Sequence, residues 1–160
     1  MISLDLLEEV EVFKDLDDDQ LSAVQDCCQE TEFRRGDKIF GSKEKPFYLY
    51  AVIEGAVELH RDGKGSTPLQ NDPISSLTDS MTFGWSSLVP PYEYTLSAYC
   101  SSRRCKLLKI DRECLSKLLK EDLKLGYMVM SRIVSVVGTR FHQLREEIIK
   151  GLGHDIINRW

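Results

Sequence analysis

The sequence predicts a mainly β fold, an antiparallel barrel or jelly roll with helices before and after it. Three observations predict it. Residues 33–110 break into short segments rich in aromatic and β-branched residues, separated by Gly, Pro, Asn, Asp and Ser, the texture of short strands joined by turns. On either side, apolar residues recur at three- and four-residue spacing, the period of helices that bury one face. The chain has 160 residues, enough for one domain that buries roughly 70% of its unfolded surface without a metal or disulfide staple.

The elements follow in order. A short helix is expected around Leu4 to Val10. Asp17 followed by Gln20 has the form of a capping box, in which each side chain satisfies an orphan amide at the other's position. Leu21, Val24 and Cys28 then share one face of a helix running to about Gln29. Phe47 to Ile53 and Ala56 to His60 read as strands with Glu54-Gly55 between them. Arg61-Asp62-Gly63-Lys64-Gly65-Ser66 is turn chemistry, since glycine adopts positive φ at little steric cost. Tyr94 to Cys100 and Cys105 to Ile110 read as a hairpin across Ser101-Ser102-Arg103-Arg104. Asp111 is placed to cap a helix carrying Leu115, Leu118 and Leu119. A longer helix is expected from about Asp122 to Lys150, leaving Gly151 to Trp160 as a short tail. The chain thus divides into N-terminal helices (1–30), a β region (31–110), C-terminal helices (111–150) and the tail (151–160).

The long helix carries two apolar stripes. Leu123, Tyr127, Met130, Val134, Val137, Phe141, Leu144 and Ile148 alternate spacings of four and three, an unbroken heptad seam. Leu125, Val129, Ile133 and Val136 lie alongside. One stripe is expected to pack on the domain, the other to meet an identical helix, making the protein a homodimer through Tyr127, Met130, Val134, Val137, Phe141, Leu144 and Ile148.

Composition narrows the function. With 21 Lys and Arg against 26 Asp and Glu, the net charge is −5, which argues against non-specific nucleic-acid binding, a process that needs a basic surface. No apolar run approaches the ~20 residues of a membrane span, and no secretory signal precedes the first helix. A cytoplasmic protein is expected. Five cysteines at irregular spacing fit a reduced compartment better than a disulfide framework, and neither Cys27-Cys28 nor Cys100 with Cys105 has zinc-site spacing. Gly84-Trp85-Ser86-Ser87-Leu88 lacks the closing glycine of a nucleophile elbow. The glycines of Asp62 to Thr67 miss the phosphate-loop spacing. His142 and Glu146 fall off the heptad seam, on a solvated face. No acid–base pair or nucleophile constellation is legible, so no enzyme, metal or cofactor is expected.

Several segments together resemble one family. Arg35-Gly36-Asp37-Lys38-Ile39-Phe40 is similar to a glycine turn followed by an apolar pair. Tyr50-Ala51-Val52-Ile53-Glu54-Gly55-Ala56-Val57-Glu58-Leu59 is similar to a Y-x-I-x-x-G-x-V-x-L strand pair. Phe83-Gly84 with Leu88 resembles the start of a phosphate-binding cassette, and Leu107-Leu108-Lys109-Ile110-Asp111 and Arg140-Phe141 complete the set. Their order resembles the cyclic nucleotide-binding domain, in the branch of catabolite-activator and FNR-type regulators, over about residues 8 to 150. The resemblance implies a double-stranded β-helix (a jelly-roll-like β-roll) with a long C-terminal dimerisation helix. It implies a regulatory module, here without the helix-turn-helix that binds DNA.

The resemblance also implies a ligand site at Phe83, Gly84, Trp85, Ser86, Ser87, Leu88, Tyr94, Thr95 and Arg145. A buried cyclic phosphodiester needs a cation and converging amides. The family's cassette supplies a glutamate for the ribose and an arginine for the phosphate. Aligned from Gly84, those positions hold Trp85 and Tyr94, and Thr95 keeps the following hydroxyl. With both charged anchors replaced, cyclic AMP and cyclic GMP are not expected to bind in the usual way. Two readings of the aromatic cassette follow. In one, Trp85, Tyr92, Tyr94 and Tyr99 line a pocket for a flatter, less anionic ligand. In the other, Trp85 and Tyr94 fill the pocket, and the chain is a dimeric interaction or scaffold domain. Arg103, Arg104 and Arg145 are the cations that could replace the missing anchor.

Overall fold

Strand β8 (Arg104–Asp111) organises the molecule. It pairs antiparallel with β1 (Cys28–Arg34) on one side and β3 (Tyr48–Glu54) on the other. With β6 (Thr82–Phe83) beside β3, these form a four-stranded sheet of order β1-β8-β3-β6. The second sheet has the order β2-β7-β4-β5, from Lys38–Phe40, Ser97–Cys100, Val57–His60 and Ser75–Leu77. The structure is a computed structural model and describes residues 1–62, 69 and 73–157.

Period-two alternation sorts the side chains of β3 and β8 between two cores. Leu49, Ala51, Leu108 and Ile110 point to one face, where they join Leu7, Phe13, Leu21 and Val24 from the N-terminal segment and Leu115, Leu125, Val129 and Ile133 from the C-terminal helices. Tyr50, Val52, Cys105 and Leu107 point to the other face and meet Phe40, Val57, Leu77, Ala98 and Cys100 of the second sheet. The second cluster is therefore the interior of a β-roll, and the first glues the helices to its outside. The fold is mostly antiparallel β with flanking helices and one long C-terminal helix, as the sequence predicts.

Helix α1 (Leu4–Glu9) is capped by Ser3. Helix α2 (Asp18–Gln25) begins at the expected capping box: Asp17 N–H donates to Gln20 Oε1 at 3.0 Å, and Gln20 N–H to Asp17 Oδ1 at 2.9 Å. It stops four residues short of the expected Gln29. Cys28 opens β1 instead, paired with Ile110, because the β8 ladder satisfies that backbone and still buries the side chain. Helix α3 (Arg112–Glu121) starts at Asp111, whose Oδ1 accepts from Cys114 N–H at 2.8 Å. Helix α4 (Leu123–Ile157) starts at Asp122, whose Oδ1 accepts from Leu125 N–H at 3.0 Å. It runs through the segment expected to be a tail; Trp160 lies outside the described residues, as do the glycines of the 61–66 turn.

Two other expectations are overturned. Strands β7 and β8 are not a hairpin, since they belong to different sheets and the 101–103 turn crosses between them. Gly55 at φ +93° makes the neighbouring crossing from β3 to β4. A Cβ there would lie 2.5 Å from the Arg104 carbonyl oxygen and 2.6 Å from Ser102 Oγ, so the two crossings are packed against each other. Nor are the cysteines all free: Cys27 and Cys114 are joined in a disulfide with Cα atoms 5.4 Å apart. Their separation of 87 residues hid the pair from any reading of local spacing.

Candidate functional site

The cassette segment begins where β6 leaves the first sheet. Phe83 is fully buried in the roll and stacks on Tyr50, ring centroids 5.4 Å apart. Gly84 follows at φ +76°, in the left-handed region. A Cβ there would sit 3.3 Å from the Tyr48 carbonyl oxygen and 3.4 Å from the Tyr50 and Tyr94 rings, so the backbone turns hard against the aromatics behind it. Trp85, Ser86 and Ser87 form one 3-10 turn.

From that turn the expected site residues part company. Trp85 and Leu88 are half-buried and pack on the helical core outside the roll. Ser87 is fully buried, and its Oγ has no hydrogen-bond partner. Tyr92 is exposed, with the Arg112 guanidinium carbon 4.5 Å from its ring centroid. Tyr94 turns back into the roll and is 4% exposed. Thr95 is exposed, and Arg145 stands exposed on α4. Tyr99 lies edge-on to His60 in the second sheet. The structure thus brings Phe83, Gly84 and Tyr94 together, and does not gather Trp85, Tyr92, Tyr94 and Tyr99 around one space.

Tyr94 stacks on Phe40, rings 10° from parallel and centroids 3.8 Å apart. Its hydroxyl donates to the Tyr48 carbonyl at 2.6 Å. Phe40 also touches Tyr50 and Phe83, each at 5.9 Å between centroids. Stacked and tilted rings at these distances are attractive beyond the area they bury. Burial pushes the Tyr94 hydroxyl pKa upward, and it pushes Tyr50 up to about 12 with help from Tyr48 and Glu44. Both hydroxyls are held neutral.

No lysine or arginine among the described residues is fully buried. Arg103 and Arg104 are exposed at the 101–103 crossing, and Arg104 pairs with Glu32 at 2.8 Å. The Lys109 ammonium rests 3.8 Å from the centroid of the Tyr48 ring. No group of three or more metal-ligating side chains occurs among the described residues. Phe40, Tyr48 and Tyr50 were missing from the expected site, although aromatic residues at alternate positions of β3 were the signal that they face the same way as Tyr94.

The strand entering the cassette is also tied to α4. Glu11 Oε1 accepts from Thr82 N–H at 2.7 Å, from Thr82 Oγ1–H at 2.6 Å and from Arg140 Nη2 at 2.7 Å. Burial lowers the pKa of Arg140, and Glu11 opposes that shift. One carboxylate therefore joins the N-terminal segment, the residue before Phe83 and the long helix. Farther along α4 the two stripes separate. Leu125, Val129 and Ile133 are buried, whereas Tyr127, Val134, Phe141, Leu144 and Ile148 are exposed, with Met130 and Val137 between. Every residue from Phe141 to Gly151 is exposed. No helix among the described residues is long and apolar enough to cross a membrane.

A groove of about 850 Å³ lies between the cassette loop and the α3–α4 corner, bordered by Leu88, Tyr92, Arg112, Lys120, Tyr127 and Met130. It is outside the roll.

Comparison with known proteins gives the relationship. The model of the cyclic nucleotide-binding domain matches residues 30–122. Among solved structures, the chain is similar to a protein of Geobacter metallireducens GS-15 named for cyclic nucleotide binding. The two are 29% identical, with a TM-score of 0.76 over 89% of this chain and 100% of that one. A cyclic nucleotide-binding domain from Methylobacillus flagellatus KT shares the fold at 18% identity and TM-score 0.76, over 92% and 81% of the two chains. The Thermus thermophilus catabolite activator protein shares it at 22% identity and TM-score 0.68, over 86% of this chain and 61% of its own. No curated protein matches the chain.

Proposed function

Because this chain belongs to the cyclic nucleotide-binding domain family, we propose that it is a non-enzymatic regulatory module whose messenger cavity is filled by its own aromatic side chains and whose output passes through α4. The observation that carries this reading is Tyr94. At the position of the cassette arginine stands a neutral ring, buried against Phe40, whose one polar atom is already bonded to the Tyr48 carbonyl. An anion entering there would lose its water and gain no counter-charge, which costs several kcal/mol. Titration calorimetry with cyclic AMP and cyclic GMP is expected to give no binding in the low-micromolar range. A low-micromolar constant for either overturns the reading.

The exposed seam of α4 supports the second half. A helix face carrying Tyr127, Val134, Phe141, Leu144 and Ile148 at heptad spacing is completed by a second copy in register. The module is proposed to be a homodimer that reports its state to another protein by a change in helix packing. DNA is not its direct target. Its place is proposed to be the cytoplasm, where the Cys27–Cys114 disulfide has to form against a reducing thiol pool. Sedimentation at micromolar concentration is expected to show a dimer; a monomer at all accessible concentrations overturns this part.

The groove beside the cassette loop favours a second reading, in which a ligand that is not a cyclic nucleotide binds outside the roll against Leu88, Tyr92 and Arg112. Native mass spectrometry of freshly purified protein separates the two. A co-purifying small molecule supports the second reading, and the bare polypeptide mass supports the first.

A further inference from the structure

We propose that Cys27 and Cys114 form a reversible thiol–disulfide site that fastens α3, and through it α4, to the end of α2. Their bond is the sole covalent tie between distant parts of the chain among the described residues. Cys27 lies in the link between α2 and β1, and Cys114 in the first turn of α3. Both border the helical core that α2, α3 and α4 share.

The pair is held in place by bonds other than its own. Asp111 N–H donates to the Cys27 carbonyl at 2.9 Å, and Asp111 Oδ1 accepts from Cys114 N–H at 2.8 Å. The β1–β8 ladder fixes the same corner by pairing Cys28 with Ile110. Reduced cysteines therefore stay within the Cα range of a disulfide, and the bond closes again without a search. Cys114 is half-buried and Cys27 is 5% exposed as whole residues; the proposed route is attack of an incoming thiolate on Cys114 Sγ, with Cys27 leaving as thiolate and taking up a proton.

The reductant is a dithiol, either a small molecule or the paired cysteines of an oxidoreductase. Its second thiol attacks the mixed disulfide and releases Cys114. Two electrons and two protons pass to the cysteine pair, and the dithiol departs as its own disulfide. The remaining cysteines do not compete. Cys28 is buried, donates to the Val24 carbonyl at 3.3 Å and has its thiol pushed up to about 12 by burial. Cys100 and Cys105 sit in the roll interior, on the far side of the sheet.

The inference rests neither on the cassette reading nor on dimerisation. The test equilibrates the full chain in buffers of reduced and oxidised dithiothreitol of varying ratio. Acid-quenched, alkylated samples are counted for thiols and peptide-mapped. The expected result is one two-electron transition between three and five free thiols, with Cys27 linked to Cys114 in the oxidised form. Five thiols at every ratio, or a different linkage, overturns the proposal. Hydrogen exchange on both end states reads the mechanical consequence. Amides of residues 115–121 and 125–133 are expected to exchange at least tenfold faster when reduced, and equal rates would refute the fastening. The double variant C27S/C114S is expected to match the reduced wild type. Should it fail to fold, the wild-type titration and exchange still decide.

Discussion

The interior of the roll and the long helix are the two regions to which the proposed function assigns binding and signalling, and they are in opposite states. In the interior, Phe40, Tyr50, Phe83 and Tyr94 are buried against one another, and the Tyr94 hydroxyl has its partner within the chain. On α4, Leu125, Val129 and Ile133 are covered, while Tyr127, Val134, Phe141 and Ile148 face water. A region that has satisfied its groups internally has little left to offer a ligand. A region that leaves a regular apolar face uncovered gains by finding a partner. On the proposed reading, the capacity for recognition has shifted from the cavity to the helix.

The sharpest way to break this comparison is a pair of substitutions on one helix. Val129→Asp places a charge in a fully buried position of the helical core, where no partner awaits it. It is expected to cost more than about 4 kcal/mol and abolish cooperative unfolding in a urea titration. Val134→Asp, five residues on at a position 68% exposed, is expected to leave monomer stability within about 0.5 kcal/mol. It should instead split the proposed dimer, read as a halved mass by sedimentation. Equal effects from the two would mean that both faces of α4 belong to the domain's own core. Next in size is Phe40→Ala. Removing the ring on which Tyr94 stacks should cost about 3–4 kcal/mol in chemical denaturation, since the rigid sheets cannot close over the gap.

The same contrast explains what was legible in the sequence. Strands, caps and the two stripes of α4 are local or periodic signals, carried by neighbours such as Asp17 and Gln20 or by the recurrence of Leu125, Val129 and Ile133. The placing of Trp85 and Tyr94 at the cassette's charged positions rests on the resemblance alone. What the sequence withheld was partnership across sheets. Trp85 and Tyr94 were expected to act together, but the 3-10 turn carries Trp85 out to the helices while Tyr94 returns to the roll. Which side a residue faces after a turn depends on the turn's geometry, and local composition does not encode it. The 101–103 segment misled for the same reason, since a crossing between sheets and a hairpin turn draw on the same small polar residues. The Cys27–Cys114 bond depends on register between β1 and β8, a long-range fact.

A smaller effect is expected from alkali. Tyr50 ionises near pH 10 in an unfolded chain and near 12 in the fold, where burial favours the neutral hydroxyl. Between those values the folded state binds more protons than the unfolded one, so stability is full below pH 10 and falls as pH rises towards 12. Tyr50 alone should account for about 2 kcal/mol of that loss. Absorbance near 295 nm checks it: Tyr50, and Tyr94 beside it, should ionise only as the protein unfolds. Reversible ionisation of these two with the fold intact would show an interior open to water.

The smallest expected effect is the most discriminating for the proposed filling of the cavity. Tyr94→Phe keeps the ring that stacks on Phe40 and deletes only the hydroxyl that donates to the Tyr48 carbonyl at 2.6 Å. If that hydroxyl is a structural bond, its loss should cost about 1 kcal/mol, the net worth of one hydrogen bond and the desolvation of the carbonyl left behind. If instead the bond merely parks a side chain that a ligand would displace, phenylalanine should be neutral or stabilising, and the carbonyl should find water. Chemical denaturation with overlaid calorimetry against cyclic AMP distinguishes the cases. A loss near 1 kcal/mol with no gain in binding identifies Tyr94 as part of the core. Unchanged stability with binding acquired would return the recognition site to the roll and leave α4 as its transmitter.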